Sequence, residues 1–246
     1  MTGGDRYTEE LKSTIIGLGA SLIGVADAQP LSEMEVYPSN LLDPFHRAVS
    51  IGLALPRGLF DQIVDRPTPT YCAAYRTANR FLDQIALRTA NVLESAGYSS
   101  LPVPASQIID RENHCGAISH KAVGRMAGLG WQGKSLLLIN PEFGPRFRLA
   151  TVLTDAPLAA DSPLANGCGD CTNCRDACPA RAIKGVATRD HYGSREEAVD
   201  LQRCVDQLME FMRLPGITET VCGICIRVCP YSQYAASTTA TIPESC

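Results

Sequence analysis

The stretch Cys168-Gly-Asp-Cys171-Thr-Asn-Cys174-Arg-Asp-Ala-Cys178-Pro179 decides how the rest of the chain is read. Its spacing, C-x₂-C-x₂-C-x₃-C-P, places three thiolates around one face of an iron–sulfur cubane, while the turn before proline carries the fourth towards a neighbouring cubane. A second set of cysteines is therefore required. It is present as Cys204 followed by Cys222-Gly-Ile-Cys225-Ile-Arg-Val-Cys229-Pro230, with seventeen residues between Cys204 and Cys222 in place of the first short spacing.

Ferredoxin-like logic assigns Cys168, Cys171, Cys174 and Cys229 to one [4Fe–4S] cluster and Cys178, Cys204, Cys222 and Cys225 to the other. The competing metal reading is a pair of tetrahedral Cys₄ zinc sites, but zinc ribbons do not repeat the C-x₃-C-P ending. Of eleven cysteines, eight fall in the window 168–229. That clustering, with no export signal at the N-terminus, favours ligation in a reducing compartment over a disulfide framework. Cys72 is expected to be a buried small hydrophobe and Cys246 to be inert.

Composition sets the outer bounds. A chain of 246 residues, 45% hydrophobic and 20% charged, can bury one ordinary core plus a small module. Its longest apolar runs, such as Ser135 to Ile139, are too short to span a membrane, and a cytoplasmic protein is expected. The net charge of −4 offers no global attraction to a phosphate backbone.

The first half reads as α+β. Thr8 is a candidate cap for a helix that carries Leu11, Ile15 and Leu18 on one face and stops at Gly19, and a strand follows over 21–26. A second strand is expected over 48–55 and a long loop from Pro56 to Pro69. The clearest helix runs from about Tyr71 to Ala96, with Tyr75, Phe81, Leu82, Ile85 and Leu93 at helical spacing and Gly97 as its stop. Ser119 is a candidate cap for a further helix, which ends in the turn Gly128-Leu-Gly130-Trp131-Gln-Gly133-Lys134. Three glycines let backbone approach something closely there. Two strands, 135–139 and 147–153, are predicted to pair as an antiparallel hairpin about Asn140 to Pro145. Arg146 and Arg148 are expected to be surface charges, and His46 and His191 carry no motif. Domain boundaries are expected at 1–161 and 162–246, with short helices after Pro179 and around 195–213.

The stretch Ala127-Gly-Leu-Gly-Trp131-Gln-Gly-Lys134, then Leu-Leu-Leu-Ile-Asn-Pro-Glu-Phe-Gly, then Leu149 to Asp155 and the two-cluster module, resembles the epoxyqueuosine reductase family, which is related to the corrinoid-containing reductive dehalogenases. The resemblance implies a nitroreductase-like, cobalamin-binding domain at the N-terminus. It also implies a base-off corrinoid to which the clusters pass electrons from a donor such as ferredoxin or flavodoxin. On this reading Gly128, Gly130, Trp131, Gly133 and Lys134 contact the corrin.

The family's proton-donating acidic residue, in a pattern like Asp-x-Ala-Pro, stands fourteen positions before the first of these glycines, and the same count here reaches His114. An imidazole can serve as an acid near neutral pH, with Glu112, Cys115, His120 and Lys121 as alternatives beside it; for His120 and Lys121 a solvated helix face is expected. The chain ends seventeen residues after Cys229, without the helical-repeat domain with which tRNA-modifying members hold tRNA. That shortness and the net charge argue against tRNA and for a small or unidentified substrate. The alternative is an electron-transfer or binding protein that docks a redox or corrinoid partner and holds no corrinoid itself. A third possibility is a scaffold that only supports the clusters.

Overall fold

The computed structural model describes residues 3–233, so Cys246 lies outside the described residues. Its helices are α1 (Gly3–Gly17), α2 (Arg57–Asp61), α3 (Pro69–Ser95), α4 (His120–Met126), α5 (Asn173–Asp176), α6 (Arg195–Ala198), α7 (Leu201–Phe211), α8 (Ile224–Arg227) and α9 (Pro230–Gln233). The strands are β1 (Leu22–Asp27), β2 (Arg47–Ala54), β3 (Ser100–Val103), β4 (Trp131–Gln132), β5 (Leu138–Ile139) and β6 (Phe147–Thr154).

The chain divides into two compact units, and the division is not the simple cut expected near residue 161. The first unit comprises the chain up to Ala54, Thr77–Leu129 and Arg148–Leu164. The second comprises Leu55–Arg76, Gly130–Phe147 and the chain from Ala165.

The first unit is mixed α/β, built on a sheet in the order β1-β2-β6-β3. Ala48, Val49, Ser50 and Ile51 of β2 are buried in succession, as are Leu149 to Thr154 of β6. Side chains buried on both faces of a strand mark it as central, which is where these two lie. β1 pairs antiparallel with β2, Val25 opposite Val49, and β3 pairs antiparallel with β6, Val103 opposite Thr151. The strand over Ser100–Val103 has no counterpart in the sequence reading; Pro102 lacks an N–H for the ladder, and β3 is accordingly an edge strand. At the opposite edge Asp161 acts as a one-residue partner for β1. Its N–H donates to the Val25 carbonyl, and its carboxylate accepts from the Val25 N–H, each at 2.8 Å, and pairs with Lys12 at 2.9 Å.

Helix α3 buries Ala78, Leu82, Ile85, Ala86, Ala90 and Leu93 into the core of this unit, along with Leu11 and Ile15 of α1. Phe81, one residue off this stripe, is instead 38% exposed. Gly97 at φ +89° and the Tyr98 N–H on the Leu93 carbonyl close the helix in a Schellman ending. Cys72, on α3, is buried as expected. Thr8 is not a cap: α1 begins at Gly3, and the Thr8 hydroxyl, inside the helix, donates to the Gly4 carbonyl at 2.7 Å and accepts from the Ala159 N–H at 2.8 Å.

The second unit departs further from the sequence reading. The hairpin expected between 135–139 and 147–153 does not form. β5 pairs with β4, Trp131 opposite Ile139, and β6 joins the larger sheet. The reason lies in the glycine-rich turn: a Cβ on Gly130 would sit 2.2 Å from the Ile139 carbonyl oxygen, so absence of a side chain is what lets these segments meet. The helix expected directly after Pro179 does not form, and Ile183 makes an isolated bridge with Val199 there. Asp200 caps α7 through the Arg203 N–H, and Ser194 with Glu197 forms a capping box on α6.

Gly24 is the tightest point of the first unit, since a Cβ there would lie 2.1 Å from the Ala127 carbonyl oxygen at the end of α4. Gly24→Ala is therefore expected to destabilise the fold by about 1–3 kcal/mol through overpacking, measured as a lowered urea midpoint.

Candidate iron–sulfur centre and the residues around it

Two short loops of like construction deliver the cysteines. After Cys171 the chain turns through α5 and reaches Cys178, and after Cys222 it turns through α8 and reaches Cys229; Pro179 and Pro230 follow. In each loop the helical turn puts successive thiols on one side, and α5 packs beside α8. Gly223 at φ +85° starts the second turn, with the space over its Cα filled by Ile63 and Tyr71. This close fit explains why residues 55–76 belong to the same unit as the cysteines. Arg76 reinforces it through Glu219 at 2.9 Å and Thr218 at 2.7 Å.

Cys174 has Cys168 and Cys171 as electrostatic neighbours, and Cys229 has Cys168 and Cys174. Cys222 has Cys204 and Cys178, while Cys225 feels Cys222, Cys174, Cys204 and Cys178. The eight cysteines thus gather into two adjoining groups, with Cys204 arriving from the first turn of α7. Cys168, Cys171, Cys174, Cys225 and Cys229 line a cavity of about 260 Å³ together with Lys134 and Tyr231. The soft sulfur donors that line this cavity suit an iron–sulfur cluster.

The same gathering makes the thiols weak acids. Burial first, and neighbouring cysteines second, push Cys174 and Cys222 up to about 11. Burial lifts Cys229 to about 12 and drives Cys225 well above the ordinary thiol value. Thiolates at these positions therefore need a positive partner, which iron supplies while displacing the proton.

The residues of the glycine-rich turn are occupied by the protein itself. A Cβ on Gly128 would meet the Ser162 carbonyl oxygen at 2.7 Å, and one on Gly133 would meet Ile139 at 2.7 Å. Trp131 stacks edge-on with Tyr231, ring centroids 4.9 Å apart, and its buried indole N–H has no hydrogen-bond partner. Lys134 is 5% exposed and donates to the carbonyls of Gly169 and Cys171 at 2.7 and 2.9 Å. The close approach that three glycines permit is thus to neighbouring protein backbone and side chains. The expected corrin contacts of Gly128, Gly130, Trp131, Gly133 and Lys134 find no support in this packing.

His114 lies on an exposed turn at φ +53°, closed by the Asp110–Cys115 bridge. The Asp110 carboxylate accepts from the Glu112 and Asn113 N–H groups and the Asn113 side chain. Hydrogen bonding from Asn113 leads the causes that hold it below the usual carboxylate range, and the nearby His114 also contributes.

His120, expected on a solvated helix face, is instead half-buried with both ring nitrogens engaged. Its Nδ1 is 2.7 Å from the Thr151 hydroxyl and its Nε2 is 2.9 Å from the Pro104 carbonyl. Since Pro104 can only accept, Nε2 carries the proton and Nδ1 accepts from Thr151. Arg148 is likewise committed, to Asn79 and Ser106 at 2.9 Å, and Arg146 donates to the carbonyls of Ser232 and Leu55. Neither arginine is the surface charge expected from sequence. Long-range partners of this kind leave no local signature.

Residues 167–232 match the family described as 4Fe-4S double cluster binding domain, and two [4Fe–4S] clusters belong to this half of the chain. The epoxyqueuosine reductase of Vibrio cholerae is 30% identical over 223 residues, covering 83% of this chain and 55% of the relative. The chain therefore spans about half the length of the curated relatives it matches most extensively. A reductive dehalogenase whose structure is described as suggesting a mechanism for B12-dependent dehalogenation superposes with a TM-score of 0.73 at 22% identity, covering 95% of this chain and 32% of that one. An epoxyqueuosine reductase solved with a tRNA-Tyr epoxyqueuosine-modified stem loop gives 0.59 at 24% identity, covering 92% and 65%. The chain resembles these reductases in sequence and shares their fold.

Two outcomes follow. Cys225→Ser removes a half-buried thiol between the groups and is expected to lower the iron content of anaerobically purified protein from roughly eight to about four per chain, read by iron analysis and the charge-transfer absorbance. For His120, burial is the largest influence and holds the imidazole down to about 4. The folded pKa lies below the unfolded one, so this stabilising contribution is full above about pH 6.5 and lost as pH falls towards 4. Replacing His120 with Gln should flatten the pH dependence of the melting temperature across that window.

Proposed function

We propose that the chain is an iron–sulfur reductase whose two clusters take single electrons from a donor such as ferredoxin or flavodoxin and pass them to a reducible acceptor. The observation that carries this reading is the gathering of eight cysteines into two adjoining groups within a double-cluster domain. Two one-electron centres side by side form a relay, and Ile63 and Tyr71 of the segment 55–76 pack on the second loop at Gly223.

The similarity to epoxyqueuosine reductases makes a corrinoid the acceptor we favour, with the first unit as its nitroreductase-like holder. A bound corrinoid would supply a cobalt centre that is reduced one electron at a time and then reduces substrate. The turn 128–134 does not fit as its cradle, because its glycines and Lys134 are filled or bonded by protein. We therefore route no step through that turn. The same observation favours a second reading, in which the acceptor is a separate redox or corrinoid partner that docks on the chain.

Cys168, Cys171, Cys174 and Cys229 are the ligands we assign to one cluster, and Cys178, Cys204, Cys222 and Cys225 to the other. His114 is our assignment for the proton donor, since an exposed imidazole on a turn can reach a substrate. An epoxyqueuosine-modified tRNA stem loop is the first substrate to try, because a relative of this fold is seen with one.

The decisive measurement is the ultraviolet–visible spectrum with iron and cobalt analysis on anaerobically purified chain, before and after soaking with hydroxocobalamin and desalting. Nearly eight irons and one retained corrinoid is the expected result; eight irons with no retained cobalt would shift the reading to a docked partner. With a reducible substrate in hand, His114→Gln is expected to slow turnover by about 10²-fold with unchanged iron content.

A further inference from the structure

Lys134 presents an electrostatic problem that the protein alone does not solve. The residue is 5% exposed and its ammonium is bonded to two backbone carbonyls, those of Gly169 and Cys171; among the described residues no carboxylate pairs with it. A buried cation without a counter-charge costs several kcal/mol, and neutral carbonyls offset only part of that cost. Its cavity is lined by Cys168, Cys171, Cys174 and Cys229, with Cys225 of the other group at its edge and the exposed Asp170 on the loop, which makes no ion pair with it.

A [4Fe–4S]²⁺ core bound by four thiolates carries a net charge of 2−, and accepting one electron makes it 3−. An ammonium beside such a group is attracted more strongly after reduction than before, so it favours the reduced state. The carbonyls that Lys134 holds belong to the loop that carries Cys168 and Cys171, which fixes the ammonium relative to those thiols.

We infer that Lys134 is the fixed counter-charge of the cluster held by Cys168, Cys171, Cys174 and Cys229, and that it sets the reduction potential of that cluster above the value the thiolates alone would give. This assigns to Lys134 a positioning role towards the electron relay. It rests on the two-cluster reading of this half and not on a corrinoid.

The test is a redox titration followed by electron paramagnetic resonance on the full anaerobic protein, comparing wild type with Lys134→Gln and Lys134→Arg. In Lys134→Gln one of the two midpoints should fall, so that at its wild-type midpoint the ratio of reduced to oxidised cluster drops about tenfold, equivalent to about 59 mV for a one-electron couple. The other midpoint should stay, and Lys134→Arg should keep both ratios within about threefold. A Gln variant that retains only one cluster while the Arg variant retains both would also support the charge role. Eight irons with unmoved midpoints in Lys134→Gln would overturn it, as would equal loss of the cluster from both variants, which would make Lys134 a matter of shape. Wild-type protein with far fewer than eight irons would instead remove the two-cluster reading beneath it.

Discussion

Burying sulfur that must carry negative charge is the constraint on which the second unit depends. Thiols enclosed beside one another resist ionisation, and Cys225, with four cysteines acting on it, resists most. The two clusters assigned to this half supply iron that displaces those protons and offsets the sulfur charge. The cysteine loops are too short to gather the thiols alone. Each is a single turn of helix, and an isolated turn is not stable in water. Their shape is imposed by what packs behind them: Ile63 and Tyr71 against Gly223, Ser232 and Tyr231 against Gly144, and Lys134 across the first loop.

The glycine-rich turn takes its meaning from this arrangement. Three glycines invite a ligand-binding reading, since a bare backbone can approach a cofactor. Here the approaching atoms are the backbone of Ile139 and Ser162 and the side chain of Ile139. The turn is a close-packed joint that sets β4 against β5 and carries Trp131 to Tyr231 and Lys134 to the cysteine loop. A motif that marks a redox family can thus act by shaping the cluster site.

The first unit shows the same economy in a different chemistry. Its sheet is edged by a proline-containing strand on one side and by Asp161 on the other, and its centre is two strands buried on both faces. Half-buried polar groups near it, His120 and Arg148 among them, are bound to carbonyls, amides and hydroxyls of distant segments. His114, in contrast, is left on an exposed turn, where a residue that meets a substrate would be useful.

What the sequence by itself determined is local. The cysteine spacings dictate cluster chemistry because a few residues between thiols leave them little choice of direction. The long helix α3 is legible because its buried face repeats with the helical period, and the strands near Leu22 and Arg47 because they are short apolar runs bounded by turn signals. The family resemblance could also be read from Gly128 to Lys134 and the cysteine runs. What only the tertiary structure decided is which distant segments share a space. The recruitment of residues 55–76 to the cysteine unit, the engagement of His120 with Thr151 and that of Lys134 with Cys171 join residues tens of positions apart, and β5 turns back on β4 instead of pairing with β6. Short-range pattern carries no record of such meetings, because a side chain's type states what bonds it can make and only the folded chain states with whom.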